Sequence, residues 1–522
     1  MITRPDRRIA LLAFAATLVA GACSPAPSPT ASPSPTGALA AATASTSGGS
    51  AAPTSPEASP APSPSSAASP SPSPSGAPSA APMVPGWSYT AEGSFSDVLF
   101  AKDGSVFTVE SDANSSARVV RLSPDGAAGW SWAQPGMGVA WAALTPDGSL
   151  DVVAGVQSGT SSVWTESLHR LTTAGKEAPG FPVALPSGNV CSLALAGDGT
   201  AFVACRDTSA STLGTTVASV GPDGRVLAGW PASLDGGGDI VGVLPDGSLV
   251  LEVASGDATK TVTNLVALGR DGKPVFGWHI GSFGDLATAT IDALGRVVVV
   301  DHDNIEGQCD AFRTTTYAIL GGDGKPAAGW PVTIRGWGSD PVVRADSSLV
   351  VAASGGRMLA WSASGAALPG WPASGIDVSV GCFWGSNPVA ADGGAVMLVG
   401  ARHATMFNAG GAAAAGWPVT VPGSVARSCT GCTEGLEGPV DPSVGRSAEY
   451  LTVYLGSTPG GLGGQPQIVA LDLQGKPRAS LSRGIGAPGD VIQWIRTAPD
   501  GRVWVDLSRA ASDRLVLIAS QG

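Results

Sequence analysis

Residues 265–280 read Leu-Val-Ala-Leu-Gly-Arg-Asp-Gly-Lys-Pro-Val-Phe-Gly-Trp-His-Ile, and residues 317–334 repeat the same order of features. In both stretches an apolar run leads to an Asp-Gly turn, and a Gly-Trp pair then opens a second run. Asp-Gly between β-rich runs is a strong hairpin signal, because glycine accepts the positive φ that such turns need. The two stretches therefore predict the third and fourth strands of a small antiparallel sheet.

The same unit recurs along the chain at intervals of 41 to 52 residues. Its marker is a glycine followed by Trp or Phe, at Gly86-Trp87, Gly129-Trp130, Gly180-Phe181, Gly229-Trp230, Gly277-Trp278, Gly329-Trp330, Gly370-Trp371 and Gly416-Trp417. Earlier turns within a unit, such as Pro146-Asp147-Gly148, separate two further apolar runs. Four short strands per repeat, without a 3.6-residue period, are typical of a β-propeller blade. We expect each tryptophan to fill the wedge between neighbouring blades.

The repeat resembles the quinoprotein-type, PQQ-like propeller repeat, whose blades carry an Ala-x-Asp-x-x-x-Gly-Lys-x-x-Trp docking motif. Val469-Ala470-Leu471-Asp472-Leu473-Gln474-Gly475-Lys476 fits that motif best, and the resemblance covers the chain from about residue 86 to its last residue. The resemblance implies an all-β propeller fold. It does not extend to binding of the quinone cofactor.

The repeat predicts an all-β propeller of eight or nine four-stranded blades. After Trp417 the chain has room for two more units, and the second of them lacks a Gly-Trp strand. Gly86-Trp87-Ser88-Tyr89 at the other end looks like a fourth strand with nothing before it. We therefore expect the N-terminal strand to complete the last blade and close the ring, which removes two exposed sheet edges.

Two segments precede the propeller, which we assign to residues 86–522. In residues 1–23, Arg4, Arg7 and Arg8 stand before an apolar run from Ile9 to Ala22 that is too short to span a bilayer. Val19-Ala20-Gly21-Ala22-Cys23 resembles the lipobox of bacterial lipoproteins, which implies lipidation of Cys23; plain export with cleavage nearby is the alternative. Residues 24–85 hold sixteen prolines and a single charged residue, Glu57, so we expect a disordered Pro/Ser/Ala/Thr-rich linker.

Charge restricts the class of partner. The chain has 29 basic and 41 acidic residues, a formal net charge of −12. An acidic protein is a poor ligand for a phosphate backbone, so nucleic acid is not expected as a partner. The lipid anchor would be the only contact with the membrane, and the location would be extracellular, at the cell surface. We expect a monomer.

Six cysteines remain after Cys23, an even number that suits disulfides in an oxidising compartment. Cys191 and Cys205 flank a hairpin turn centred on Asp198, so they should face each other across two strands and form a disulfide. Cys429 and Cys432 form a C-x-x-C, which fits a structural disulfide, a redox pair or half a zinc site. By elimination, Cys309 pairs with Cys382.

Four groups of residues are candidates for a site on the face that carries the long loops. Asp301, Asp303 and Asp310 could hold Ca²⁺ as a cofactor or could form a solvated acidic loop. Phe383 and Trp384 could contact a ligand or pack over the channel, and Arg402 with His403 could be an acid/base pair or surface residues. An acid or amide recurs near the start of the first strands, either facing the axis or capping backbone amides, at Asp97, Asn189, Asp239, Asp285, Asp340, Asn387 and Asp490.

These features favour a surface-anchored binding module or scaffold that engages an envelope protein or polysaccharide. The alternative is an extracellular quinoprotein-type or carbohydrate-active enzyme with a calcium-assisted site on the propeller face. The four histidines occur without a Gly-x-Ser-x-Gly elbow or a histidine-rich metal motif, so we predict that the protein is not an enzyme and assign no catalytic residue. A purely structural role in an envelope complex is the third hypothesis.

Overall fold

The computed structural model describes most of the chain between residues 87 and 518. The ranges within that span that it leaves undescribed are 112–115, 135, 158–163, 187–189, 208–213, 258–259, 276–279, 284–287, 293, 305–311, 375–387, 391–395, 400–402, 421–442, 445–450, 456–466, 473, 478–482, 488–489, 499–501 and 510–511. The predicted signal segment, Cys23 and the linker lie outside the described residues. Among the described residues, no helix has the length and apolar character needed to cross a bilayer.

The described residues form nine antiparallel sheets of four strands each. Strand β1 (Ser88–Thr90) belongs to the ninth sheet. Sheets 1 to 3 contain, in chain order, β2 (Ser94–Phe100), β3 (Val106–Ser111), β4 (Ala117–Leu122), β5 (Ala128–Trp132), β6 (Met137–Leu144), β7 (Leu150–Gln157), β8 (Trp164–Leu171), β9 (Val183–Ala184), β10 (Val190–Leu195), β11 (Ala201–Asp207), β12 (Gly214–Val220) and β13 (Ala232–Asp235).

Sheets 4 to 6 contain β14 (Gly237–Val243), β15 (Leu249–Asp257), β16 (Lys260–Leu268), β17 (Ile280–Phe283), β18 (Thr288–Ile291), β19 (Val297–Asn304), β20 (Phe312–Leu320), β21 (Val332–Arg335), β22 (Val342–Val343), β23 (Leu349–Ala353), β24 (Arg357–Trp361) and β25 (Ala373–Ser374). Sheets 7 to 9 contain β26 (Val389–Ala390), β27 (Val396–Val399), β28 (His403–Phe407), β29 (Val419–Thr420), β30 (Ser443–Val444), β31 (Leu451–Leu455), β32 (Gln467–Leu471), β33 (Arg483–Gly484), β34 (Val491–Thr497), β35 (Val503–Arg509) and β36 (Ser512–Ile518).

The described second strands are buried on both sides, because neighbouring sheets cover both of their faces. All five residues of β23 are buried, as are the first five of β3.

The turns between first and second strands share one pattern of hydrogen bonds. In sheet 4 the amide of Gly247 donates to the carbonyl of Leu244, and the carboxylate of Asp246 accepts from the amide of Ser248. Local turn chemistry therefore sets the register of each hairpin.

The described tryptophans of the Gly-Trp pairs connect one sheet to the next, as the sequence predicts. The indole N–H of Trp230, in sheet 3, donates to the carbonyl of Arg270 in sheet 4 at 3.0 Å. The same bond joins Trp130 to Thr173 at 3.1 Å and Trp330 to Ala363 at 2.9 Å. Because each indole reaches the third turn of the following unit, the recurrent tryptophan holds blade to blade.

The N-terminal strand completes the last sheet, so the predicted pairing of the chain ends is confirmed. Ser88, Tyr89 and Thr90 pair with Val516, Leu515 and Arg514 of β36. The indole N–H of Trp87 donates to the carbonyl of Pro124 in sheet 1, which makes Gly86-Trp87 the docking pair of the ninth unit. Gly126 in the same turn has a φ of +88°, and a Cβ there would collide with the Trp87 ring. The described residues thus contain nine blades, the upper of the two expected numbers.

Apolar clusters lie between successive sheets. Phe107 and Leu171 belong to a cluster of sheets 1 and 2, and Ile240 belongs to one of sheets 3 and 4. Trp504 of sheet 9 packs with Leu122 of sheet 1. We call this last interface the seam. The fold is a β-propeller, because four-stranded antiparallel sheets follow one another along the described chain and pack against neighbouring sheets through these clusters.

Candidate functional site

Strand polarity divides the turns and loops between two faces. Turns that join first to second strands, and third to fourth strands, lie on one side, which we call the turn face. Connections between second and third strands, and between successive sheets, lie on the other side, which we call the loop face. Most residues proposed from sequence to bind a ligand belong to the loop face.

The proposed calcium ligands divide between described and undescribed residues. Asp301 and Asp303 lie in β19, where they pair with Thr316 and Thr314 of β20, and not in a loop as expected. The valine run of β19 continues into them because threonines opposite supply a β-forming partner. Asp310 lies outside the described residues, so the three-carboxylate set stays a prediction.

His403 is the first residue of β28 and is half-buried, opposite Thr420. Its proposed partner Arg402 lies outside the described residues, and so do Phe383 and Trp384. The same holds for Cys309, Cys382, Cys429 and Cys432, whose pairings remain predictions.

Two of the described acids near the first strands cap backbone amides. Asp97 accepts from the amide of Val98 at 2.8 Å, and burial raises the pKa of Asp97 although Arg496 opposes that shift. Asp490 accepts from the amide of Ala487 at 2.7 Å and pairs with Arg514 at 3.0 Å. Both carboxylates cap amides close by in the sequence, whereas the sequence hypothesis was capping of amides between blades.

The other two described acids of this set differ from each other. Asp239, in the first strand of sheet 4, lies 3.7 Å from Arg206 in the second strand of sheet 3. The buried phenol of Tyr317 has a pKa well above its ordinary value, chiefly because of burial. The negative charge of Asp340 raises that pKa further. Asn189, Asp285 and Asn387 lie outside the described residues.

The predicted disulfide between Cys191 and Cys205 is present, across the pair of residues that face each other on β10 and β11. The buried carboxyl of Glu166 in sheet 2 lies 2.6 Å from the sulfur of Cys191. Burial raises the pKa of Glu166 to about 7. A disulfide sulfur carries no hydrogen, so in this contact the protonated carboxyl of Glu166 is the hydrogen-bond donor and the sulfur is the acceptor. Glu166, Cys191 and Cys205 are also the only metal-compatible cluster in the described part of the chain, and the disulfide occupies both sulfurs.

Removal of this disulfide is expected to lower the free energy of unfolding. Cys191 and Cys205 are 14 residues apart, and the loop-entropy relation gives about 3 kcal/mol for a loop of that length. We therefore expect the double variant Cys191→Ala/Cys205→Ala to unfold at a lower urea concentration than the parent. A midpoint unchanged by both the substitutions and a reducing agent would contradict this expectation.

Aspartates recur on the turn face, a feature that the sequence displayed but that we interpreted only as a hairpin signal. Each carboxylate accepts the amide two residues further on, as Asp103 does from Ser105 at 2.9 Å and Asp198 does from Thr200 at 3.0 Å. These backbone bonds lower the pKa of Asp198 more than its other contacts do. The turn face therefore carries fixed negative charges.

A groove of about 480 Å³ lies on the turn face, where the turns of sheets 3, 4 and 5 meet. Its apolar lining includes Leu195, Val243, Leu244, Pro245 and Ile291, and its charged lining includes Asp198, Arg270 and Asp292. Sequence reasoning missed the groove because its residues come from three separate repeats.

Arg270 and Asp198 form the charged side of the groove. The guanidinium of Arg270 donates from Nε to the carbonyl of Asp246 at 3.1 Å and lies 3.6 Å from Asp198. A Cβ on Gly247 would collide with that guanidinium, so glycine there lets Arg270 cross the turn. Both charged side chains are more than half exposed, at 65% and 51%. Their ion pair is worth at most about 1 kcal/mol, so a ligand group could replace either member.

Leu294 stands in the sheet 5 turn next to Gly295, which lines the groove. Its side chain is 56% exposed, the highest value for a large hydrophobic residue in the described part of the chain. Arg296, two residues on, instead pairs with the buried carboxylate of Asp292 at 2.7 Å. The groove thus combines aliphatic and polar lining with an exchangeable ion pair, and an exposed leucine stands beside it.

Comparison with known proteins yields no family. No protein-family model matches the chain, and no curated protein matches it. The chain is similar to a solved eukaryotic initiation factor at 11% identity, over 76% of this chain and 88% of that chain, with a TM-score of 0.48. It is similar to the β-propeller domain of the Trilobed protease from Pyrococcus furiosus at 10% identity, over 62% of this chain and 96% of that chain, with a TM-score of 0.35. It is similar to Sqt1 from Chaetomium thermophilum at 14% identity, over 73% of this chain and 96% of that chain, with a TM-score of 0.39.

Proposed function

We propose that this protein is an exported β-propeller binding module that engages a protein of the cell envelope through the groove on its turn face. The groove is the observation that carries the proposal. The lipobox-like Cys23, the proline-rich linker and the acidic composition support export, anchoring at the cell surface and a non-nucleic-acid partner. The quinoprotein-type repeat supports the fold class only.

The lining of the groove indicates the chemistry of its ligand. The aliphatic side chains among its lining residues, with Leu294 nearby, suit an aliphatic side chain of the partner. A carboxylate on the partner would take the place of Asp198 beside Arg270, since an exposed ion pair is readily exchanged. We therefore assign the groove to an extended polypeptide segment that presents an aliphatic residue next to an acidic group.

Peptide display against the folded domain, residues 86–522, tests this assignment. Selected peptides are expected to combine aliphatic and acidic residues, and their affinities can be measured by fluorescence anisotropy. Arg270→Glu should weaken binding at least about tenfold, because it places like charges together, and Leu294→Asp should do so by removing apolar contact.

Val226→Asp is the matched control. Val226 is 45% exposed and also stands in a turn, but it does not line the groove. Binding should survive this change. Peptides that bind the Arg270 and Leu294 variants as tightly as the parent would contradict the assignment, and so would purified envelope polysaccharide that binds while no peptide does.

A further inference from the structure

Sheet 2 contains a hydroxyl, an imidazole and a carboxylate in one hydrogen-bonded row. Ser167 and His169 share a face of β8, and the Ser167 Oγ lies 2.8 Å from the His169 Nε2. On the other side of the ring, Glu177 places its two carboxylate oxygens 3.1 and 3.2 Å from Nδ1. The imidazole is fully buried and packs against Trp132 of sheet 1, with ring centroids 4.8 Å apart.

The other repeats show that the fold does not require this row. In seven sheets the end of the third strand forms a bridge with the following turn, and Leu171 with Glu177 is one such pair. At the bridge position of Glu177 the other six sheets have Val226, Pro274, Pro326, Ala367, Ala413 and Pro477. Two residues before the strand end, where sheet 2 has His169, they have Ala218, Val266, Ala318, Leu359, Thr405 and Val469. His169 and Glu177 therefore depart together from the pattern of the repeat, and they contact each other.

The order of the groups defines which ring nitrogen carries a hydrogen toward Glu177. A carboxylate can only accept, so the hydrogen between His169 and Glu177 is on Nδ1. Whenever the ring is neutral, the lone pair of Nε2 faces the hydroxyl of Ser167. A hydroxyl beside a base that a third group orients is the arrangement of an activated nucleophile.

A hydrogen-bond donor lies on the same side. The side-chain amide of Gln134, on the connection from sheet 1 to sheet 2, places its nitrogen 3.5 Å from the His169 Nε2. Both Gln134 and Ser167 are half-buried, so the wedge between the two sheets is open to solvent at this point. The Gln134 amide is thus a second polar neighbour of the imidazole nitrogen that contacts Ser167.

We propose that Ser167, His169 and Glu177 form a serine-nucleophile site that hydrolyses an ester with a small acyl group, an activity separate from binding at the groove. Ser167 Oγ attacks the carbonyl carbon while His169 Nε2 takes the hydroxyl proton. The bond to the leaving alkoxide oxygen then breaks, and that oxygen takes the proton from Nε2. Water attacks the acyl-serine in the same way, which releases the carboxylic acid and returns the proton to Ser167. Glu177 is a positioning residue.

The test uses the domain of residues 86–522 with two reagents, p-nitrophenyl acetate as acyl donor and a fluorophosphonate as covalent label. Mass spectrometry of the intact protein and of its peptides is expected to find one adduct, on Ser167. Ser167→Ala should abolish both the adduct and nitrophenol release above background. Glu177→Gln should slow labelling about tenfold or more while the adduct stays on Ser167.

Thr316→Ala is the matched control, because Thr316 occupies the position of Ser167 in sheet 5 but stands two residues from Ala318 and not from a histidine. This variant should label at the parental rate. Circular dichroism and thermal unfolding verify that each variant is folded. A folded parent that forms no adduct, or an adduct that persists in Ser167→Ala, would overturn the proposal.

Discussion

The variant Asp506→Asn is expected to be more stable than the parent above pH 8 and nearly equal to it near pH 4. Asp506 lies in β35 at the seam and is only 3% exposed. Burial, and next the charge of Asp513, raise its pKa from 3.8 to about 8, although Arg496 opposes the shift. In the described part of the chain its Oδ1 has no hydrogen-bond partner.

The direction of the pH effect follows from proton linkage. Between pH 4 and pH 8 the folded protein keeps a proton on Asp506 that the unfolded chain has lost, so the free energy of unfolding falls as the pH rises. One group changes that free energy by about 1.4 kcal/mol per pH unit, on the order of 5 kcal/mol over the whole window. The loss is complete above the folded pKa of about 8. An asparagine does not ionise, so the Asp506→Asn variant does not lose this free energy of unfolding as the pH rises.

Urea unfolding of parent and variant between pH 4 and pH 9 measures the effect. Aspartates of the turn face contribute their own pH dependence, but they are common to both proteins and cancel in the difference. Asp490→Asn is the control, since that carboxylate is paired with Arg514 at 3.0 Å and its replacement should bring no gain at pH 9. A difference between Asp506→Asn and the parent that does not change with pH would contradict the assignment of a protonated Asp506.

The second large effect is expected from Trp504→Ala, which should lower the free energy of unfolding by about 3–5 kcal/mol. Trp504 is fully buried at the seam. Its ring meets the edge of Trp87 at a centroid distance of 4.8 Å and lies 5.7 Å from Phe100 of sheet 1. One side chain thus joins the N-terminal segment, the ninth sheet and the first sheet.

The magnitude can be checked by a graded pair of variants. Trp504→Phe keeps part of the apolar area and should cost roughly half as much as Trp504→Ala. The urea midpoint gives the loss, and an unchanged slope indicates that the extent of unfolding is the same. A loss below about 1 kcal/mol for Trp504→Ala would mean that the seam does not limit the stability of the ring.

Much of the fold was predictable because it depends on local chemistry that repeats. The Asp-Gly turns set the registers of the hairpins. The Gly-Trp pairs recur once per unit, so their spacing gives the length of a blade in residues. The same reasoning placed Cys191 opposite Cys205, because two residues equally far from the centre of a hairpin turn face each other across the two strands. The unmatched Trp87 and the missing Gly-Trp of the last unit predicted the pairing of the chain ends.

The site residues were less predictable, because they lie far apart in sequence. Asp198, Arg270 and Ile291 belong to three different repeats and acquire a shared groove only when sheets 3, 4 and 5 pack side by side. His169 and Glu177 are eight residues apart, yet nothing in sequence shows that the turn folds back along β8 and brings them together. Within the repeat both residues stand out, and a comparison between repeats could have found them.

The sequence by itself determined the all-β class, the four-stranded repeat, the role of the tryptophans and one disulfide, because turn preference, strand alternation and cross-strand spacing act over a few residues. Tertiary structure alone decided that sheets 3, 4 and 5 share a groove, that Asp506 is buried and acted on by the charge of Asp513, and that Ser167, His169 and Glu177 form a row. These properties depend on burial and on contacts between strands and sheets. Such burial and contacts form only when folding packs segments that are distant in the sequence against each other and excludes water between them.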